Sequence, residues 1–192
     1  MSTHGRTRNL GRFRTSNAEA DKLHRFWRSS AKNRLSVLVA SVTQPFNVGT
    51  IVGSAVMHGA DEMWLTGNSA PPTHPNSVKA ALGAAGELPW RHVETVTEAA
   101  AQIRDAGYRL VALELTDDAV PFYEAPLAGD TCIAVGSEDH GCSPALLAEA
   151  DSVTYIPQVG RVGSLNVSIA AGIALNEVRR REFSSLDGSQ VE

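Results

Sequence analysis

The sequence predicts an α/β protein with a mostly parallel sheet flanked by helices. Short apolar segments rich in β-branched residues alternate with helical segments along most of the chain. The strand-like segments lack a clean polar and apolar alternation, which is typical of parallel strands buried on both faces. Glycines follow several of these segments, at the strand ends where open α/β sheets bind ligands.

Each element has its own local signals. A basic amphipathic helix is predicted over 16–30, with Ser16 or Asn17 as its N-cap. Strands are predicted at 35–42, 61–66, 92–93, 109–115, 131–136 and 153–156. Further helices are predicted at 48–58, 78–85, 97–106, 144–150 and from 164 to about 183. Thr97 and Ser143 are the expected N-caps of two of these helices.

Composition limits the class of protein. A chain of 192 residues with 43% hydrophobic and 20% charged residues is an ordinary globule, for which one domain is the default. No apolar run approaches the ~20 residues of a membrane span, and no apolar leader is present, so we expect a cytoplasmic protein with no membrane partner. Cys132 and Cys142 are expected to be reduced. No Cys/His cluster has metal-ligand spacing, so no metal is expected.

The charge is distributed unevenly. Nine Lys or Arg and two acidic residues occur up to Arg34, although the whole chain has a net charge of −4. Basic side chains release counterions from phosphates, so this segment points to a polyanionic partner. A solvated terminus explains the first 15 residues equally well. We expect a basic extension over 1–34, a globular domain over 35–183 and a disordered tail over 184–192.

Three polar, glycine-bearing loops are candidate functional segments. They are 47–51 (NVGTI), 135–141 (VGSEDHG) and 155–177 (YIPQVGRVGSLNVSIAAGIALNE). In the third, Ser164 and Asn166 open an apolar helix as capping residues, where the positive helix end can hold a ligand or a reacting oxygen. The alternative is a polar turn before a core helix. Neither GxGxxG after the first strand nor GxxxxGK[ST] occurs, so the common nucleotide loops are unsupported.

In this order the three loops resemble the three motifs of the SpoU/TrmH branch of the SPOUT RNA methyltransferases, over about 35–181. The segments 79–84 (KAALGA) and 88–90 (LPW) add to the resemblance. It implies S-adenosylmethionine-dependent methylation of a ribose 2′-hydroxyl in RNA by a SPOUT methyltransferase domain over 35–183. It also implies a homodimer and a C-terminal deep trefoil knot, a feature that general rules of chain topology would not suggest.

The resemblance also assigns residues to roles. It implies a cofactor pocket formed by Leu113, Gly136, Ser137, Ile156 and Leu165. It implies an active site formed by Asn47, Glu138, Ser164 and Asn166. We expect the two asparagines to orient the ribose or the cofactor loop, and Glu138 to anchor loops rather than act as a lone base. RNA contacts are expected from Arg25, Arg28, Lys32 and Arg161. The small size and the basic extension are closer to tRNA-directed members than to rRNA-directed ones.

The first motif departs from the family pattern N-x-G-x-I-x-R, because Gly53 occupies the arginine position. Glycine offers no charge, no side-chain donor and no base. Either another basic group, Arg161 or His58, replaces the arginine, or the change inactivates the enzyme, or the protein binds RNA without methylating it as a chaperone or regulator. His140 is expected to be a solvent-exposed loop residue. A generic α/β small-molecule enzyme would require the motif resemblance to be accidental.

Overall fold

The computed structural model describes residues 15–161 and 163–184. Within them, seven strands form one sheet in the order β3-β2-β1-β6-β4-β7-β5, and every neighbouring pair is parallel. The strands are β1 (Leu35–Ala40), β2 (Glu62–Thr66), β3 (Trp90–Val93), β4 (Arg109–Leu113), β5 (Val120–Pro121), β6 (Thr131–Val135) and β7 (Ser152–Tyr155). The predicted α/β class with a parallel sheet is therefore confirmed.

Six α-helices connect or follow these strands in the described ranges. They are α1 (Asn17–Ser30), α2 (Pro45–Met57), α3 (Pro75–Ala80), α4 (Val96–Asp105), α5 (Pro144–Glu149) and α6 (Val167–Phe183). No helix among the described residues is long and apolar enough to cross a membrane.

The core lies on both faces of the sheet, as the apolar strands predict. All six residues of β1 are buried. Val37 and Val39 pack into the cluster that contains α2 and α6, whereas Leu38 and Ala40 pack into the cluster that contains α4 and α5. Successive side chains of a strand point to opposite faces, so one continuous apolar strand supplies two helix layers.

Several predicted boundaries were wrong. Proline is well suited to the first helical position because its missing N–H would have no partner there; α2 and α3 accordingly begin at Pro45 and Pro75, earlier than predicted. The N-cap of α4 is Thr95, whose side chain accepts from the Glu98 N–H, rather than Thr97. The two-residue strand β5 was missed, since a strand of that length leaves no periodic pattern. The predicted caps Ser16 and Ser143 are confirmed.

The basic helix α1 is attached to the far end of α6. It has no buried residue, and the Trp27 ring lies 4.9 Å from the Phe183 ring between centroids. The segment after α1 is held by Glu182, whose carboxylate accepts from the backbone N–H groups of Lys32 and Asn33. The predicted extension over 1–34 and tail over 184–192 fall partly outside the described residues, so these boundaries stay predictions.

Candidate active site

A cavity of about 700 Å³ opens at the carboxyl ends of β4, β6 and β7 and at the beginning of α6. Open α/β sheets bind ligands at this edge. The lining includes eight of the nine residues predicted for the cofactor pocket and the active site: Leu113, Gly136, Ser137, Glu138, Ile156, Ser164, Leu165 and Asn166. The ninth, Asn47, contacts two of them. The structure thus brings all nine together, and their individual roles stay predictions.

Glycine is required in the 136–141 loop. Ser137 and Gly141 exchange two backbone hydrogen bonds of 3.0 Å each, which closes a tight turn. A Cβ on Gly136 would collide with the Gly141 carbonyl, and Gly141 itself has a positive φ of 64°. Two glycines therefore let this loop fold against the end of β6 and bring its backbone to the cavity.

A chain of hydrogen bonds links Glu138 to the beginning of α6. The Glu138 carboxylate accepts from the Asn47 side-chain amide at 3.0 Å. The side-chain Oδ1 of Asn47 accepts a hydrogen bond from the side-chain amide of Asn166 at 3.1 Å. The Asn166 Oδ1 accepts in turn from the Ser168 and Ile169 N–H groups, so Asn166 is the N-cap of α6. These contacts fix three loops relative to each other.

Glu138 also anchors the beginning of α2. Its carboxylate accepts from the backbone N–H groups of Thr43 and Gln44, at 3.1 and 3.0 Å. Burial alone would raise the pKa of Glu138, but the hydrogen bonds from Asn47 and these backbone groups hold it below the ordinary value. An ionised carboxylate with three donors is a poor proton acceptor. This agrees with the expectation that Glu138 is an anchor rather than a lone base.

Sequence reasoning missed Glu114, an ionisable residue of the cavity wall. Glu114 directly follows β4, and its carboxylate accepts from the N–H groups of Cys142 at 2.8 Å and Leu115 at 2.9 Å. It lies near the carboxyl end of the strand predicted over 109–115, and this position was the available signal. His140 is exposed, as expected, but it also lines the cavity.

The two groups proposed to replace the motif-one arginine lie elsewhere. The His58 ring Nδ1 is 2.7 Å from the Ser54 carbonyl oxygen, and neither His58 nor the exposed Arg161 lines the cavity. A Cβ on Gly53 would meet the Ala81 carbonyl oxygen at 3.5 Å, an ordinary contact distance. The Gly53 position therefore has room for the Cβ atom of a larger residue.

Both cysteines are free and buried. Burial raises the pKa of each thiol to about 12. These thiols are therefore protonated at neutral pH, which makes them unreactive.

The model of the SpoU rRNA Methylase family matches residues 34–176. The chain belongs to this family. Its second and third motif loops contribute to the cavity wall, and the first contacts that wall through Asn47. The tRNA (guanosine(18)-2'-O)-methyltransferase of Escherichia coli K12 is 34% identical over 150 residues, which are 77% of this chain and 63% of that protein. The 23S rRNA (guanosine-2'-O-)-methyltransferase of Acinetobacter baylyi is 30% identical and aligns with 78% of this chain and 60% of its own length.

Solved structures of SpoU relatives share the fold. The AdoMet-bound rRNA methyltransferase from Sinorhizobium meliloti has a TM-score of 0.73 and 30% identity, over 84% of this chain and 61% of that chain. The SpoU methyltransferase AviRb from Streptomyces viridochromogenes in complex with AdoMet has a TM-score of 0.72 and 28% identity, over 81% of this chain and 60% of that chain. The present chain thus spans about three fifths of the length of these relatives.

Proposed function

We propose that this SpoU-family protein transfers a methyl group from S-adenosylmethionine to a ribose 2′-hydroxyl in RNA, with tRNA favoured over rRNA. The observation that carries the proposal is the hydrogen-bonded chain from Glu138 through Asn47 to Asn166, beside a cavity lined by the predicted cofactor residues. Two relatives methylate ribose 2′-oxygens according to their names. An RNA substrate also makes the cytoplasm the proposed location.

The residues present fit S-adenosylmethionine. A cavity of about 700 Å³ is large enough for a molecule of this size. Ile156 and Leu165 offer apolar surface to an adenine ring, and Gly136 lets backbone donors approach it. The cofactor would supply an activated sulfonium methyl group. A deep trefoil knot over the C-terminal part of the domain is proposed with it, on the ground of the family match over residues 34–176.

The protein's own contribution is positioning. In-line attack on a methyl group needs the hydroxyl oxygen at a fixed place, and orientation supplies much of the acceleration. Asn47 and Asn166 are held in one geometry by each other and by Glu138 and α6. The hydroxyl must also lose its proton. Among the described lining residues, His140 is the one histidine, the side-chain type that most often accepts or donates protons in catalysis.

The exposed basic residues Arg25, Arg28 and Lys32 are proposed to hold the RNA backbone, together with the exposed Arg161. Helix α1 is attached at the end of α6 opposite Asn166, and a helix of 17 residues is about 25 Å long. A folded RNA can span such a distance. A homodimer is also proposed, supported by large apolar side chains exposed on α2 and α6: Phe46, Met57, Ile169 and Ile173.

Gly53 favours a second candidate, an RNA-binding homologue with weak or no methyltransferase activity. No lysine or arginine among the described residues lines the cavity, so nothing there visibly takes over the role of the missing arginine. Such a protein would bind RNA and cofactor without turnover. The two candidates differ in chemistry rather than in fold.

Single-turnover transfer of labelled methyl from S-adenosylmethionine to bulk tRNA and to bulk rRNA separates the candidates. The protein and its Gly53→Arg variant are compared under the same conditions. Transfer of label to tRNA by the unmodified protein supports the methyltransferase proposal. Transfer of label to rRNA alone would overturn the preference for tRNA. Activity confined to Gly53→Arg would identify Gly53 as the inactivating change. If neither protein transfers label but both still bind the cofactor, the RNA-binding homologue is favoured.

A further inference from the structure

The cavity wall is negatively charged. Three of its lining residues are carboxylic acids, namely Glu114, Glu138 and Asp139. Within the described ranges no lysine or arginine joins them, and the lining includes a single histidine, His140. A partly enclosed site lined by charges of one sign raises the local concentration of ligands of the opposite sign. The cavity therefore favours a cation.

Glu114 is the carboxylate best placed to act on a ligand. Its two oxygens accept from the backbone N–H groups of Cys142 and Leu115, at 2.8 and 2.9 Å, which fixes the side chain. A carboxylate has about four acceptor sites, so half of its capacity remains. In the described part of the chain, no cationic side chain pairs with it within 4.0 Å. Its negative charge is therefore not neutralised by an ion pair.

The other two carboxylates are less suited to this role. Glu138 already accepts from three donors and fixes the beginning of α2. Asp139 is exposed, so water and salt screen its charge. Glu114 is half-buried against Gly141, where a Cβ on the glycine would collide with its carboxylate. Charges in such partly buried places are screened less than those at the surface.

The proposed cofactor changes its charge during the reaction. Breaking the bond between sulfur and the methyl carbon, and forming a bond between that carbon and the ribose oxygen, turns a sulfonium into a neutral thioether. The hydroxyl proton leaves to solvent or to a base. The methyl donor and the demethylated product thus differ by one methyl group and one positive charge. A negative cavity distinguishes them even without direct contact, because Coulomb interactions act over several ångströms.

We infer that Glu114 is a specificity-determining residue, which makes the cavity bind the cationic methyl donor more tightly than the neutral product. This inference rests on the proposed function only in taking S-adenosylmethionine as the ligand of the cavity. It requires neither RNA nor turnover. Its consequence is that the product is expelled in favour of a new donor molecule.

Titration calorimetry without RNA tests the inference. The protein is titrated with S-adenosylmethionine, with S-adenosylhomocysteine and with sinefungin, in which a carbon that bears an amine replaces the methylated sulfur. We expect the two cationic ligands to bind on the order of tenfold more tightly than S-adenosylhomocysteine, which corresponds to one modest charge interaction. Equal affinities for donor and product in the unmodified protein would overturn the inference without any variant.

Variants assign the effect to Glu114. Glu114→Gln is expected to bring the ratio of the two dissociation constants close to one, whereas Glu114→Asp, which retains the charge, keeps most of the preference. Glu87→Gln makes the same chemical change at an exposed residue outside the cavity wall and is expected to leave the ratio unchanged. If Glu114→Gln weakens both ligands equally, the residue is only an anchor for the 136–141 loop, and the inference fails.

The outcomes are distinguishable from failure of the proposed function. A preserved preference for the cationic ligands in a protein that never methylates RNA would support the inference and refute the enzyme. A protein that binds none of the three ligands would refute the cofactor assignment and the inference with it. Thermal unfolding of each variant separates loss of binding from loss of the fold.

Discussion

Asn47 and Asn166 are 119 residues apart in the sequence, yet the side-chain amide of Asn166 donates a hydrogen bond to the side-chain Oδ1 of Asn47 at 3.1 Å. Each asparagine also serves a second partner. Asn47 donates to Glu138, and Asn166 caps α6. The pair therefore connects the beginning of α2, the 136–141 loop and the beginning of α6 through side chains alone.

Replacing Asn47 with alanine removes both links of this chain. We expect the free energy of unfolding to fall by about 1–2 kcal/mol, because two hydrogen bonds are lost and one partner, Glu138, is partly buried. We expect methyl transfer to fall on the order of 10²-fold, since misplaced groups cost about that much. Urea unfolding and single-turnover transfer measure the two effects. Asn176→Ala, an exposed position on α6, is the matched control. Equal transfer by both variants would contradict the positioning role.

Glu138 should make the free energy of unfolding fall as the pH is lowered into the acid range. Its folded pKa lies below the ordinary value of 4.5, so it contributes stability above pH 4.5 and loses that contribution as the pH falls through the folded pKa. The difference in free energy of unfolding between the protein and Glu138→Gln should be constant near neutrality and shrink in acid. Urea unfolding at several pH values measures this difference. A difference that grows in acid would refute the lowered pKa.

Arg179 and Arg180 offer a comparison between a buried and an exposed ion pair on one helix. The Arg179 side chain is 7% exposed, pairs with Glu182 and donates to the carbonyl oxygens of Asn33, His58 and Gly59. Arg179→Met is expected to reduce the free energy of unfolding by about 3 kcal/mol, because these buried acceptors and the carboxylate lose their partner.

Arg180→Met is the control for this prediction. The Arg180 side chain is 58% exposed and pairs with Glu177, and exposed pairs contribute at most about 1 kcal/mol. Chemical denaturation of both variants gives the comparison. Similar losses would show that the Arg179 network contributes no more to stability than the exposed pair of Arg180 with Glu177.

The basic helix α1 and the segment directly after it should bind the phosphate groups of RNA. Replacing Arg25, Arg28 and Lys32 together with alanine is expected to weaken RNA binding and to reduce the slope of affinity against salt by up to about three. Fluorescence anisotropy with tRNA at several salt concentrations measures both quantities. Removal of the same charge elsewhere, at Lys79, Arg91 and Arg104, is the control. Binding that does not respond to these three changes would remove α1 and the segment directly after it from the proposed RNA surface.

Local patterns in the sequence were sufficient for much of the fold. A strand buried on both faces needs a continuous apolar run, so β1 and β6 were visible without any knowledge of their neighbours. The Ser16 and Ser143 caps bond to N–H groups three residues away, and such bonds depend only on nearby residues. The second and third motif loops contain most of the residues that line the cavity.

The tertiary structure alone decided which of these segments contact one another. The bonds of Glu138 to Thr43, Gln44 and Asn47 join residues more than 90 positions apart, and no local pattern encodes such pairings. The placement of Glu114 in the cavity wall depends on the strand order that puts β4 between β6 and β7. The sequence by itself therefore determined most of the elements and most of the candidate residues. Long-range packing decided that Glu138 accepts from three protein donors and Glu114 from two.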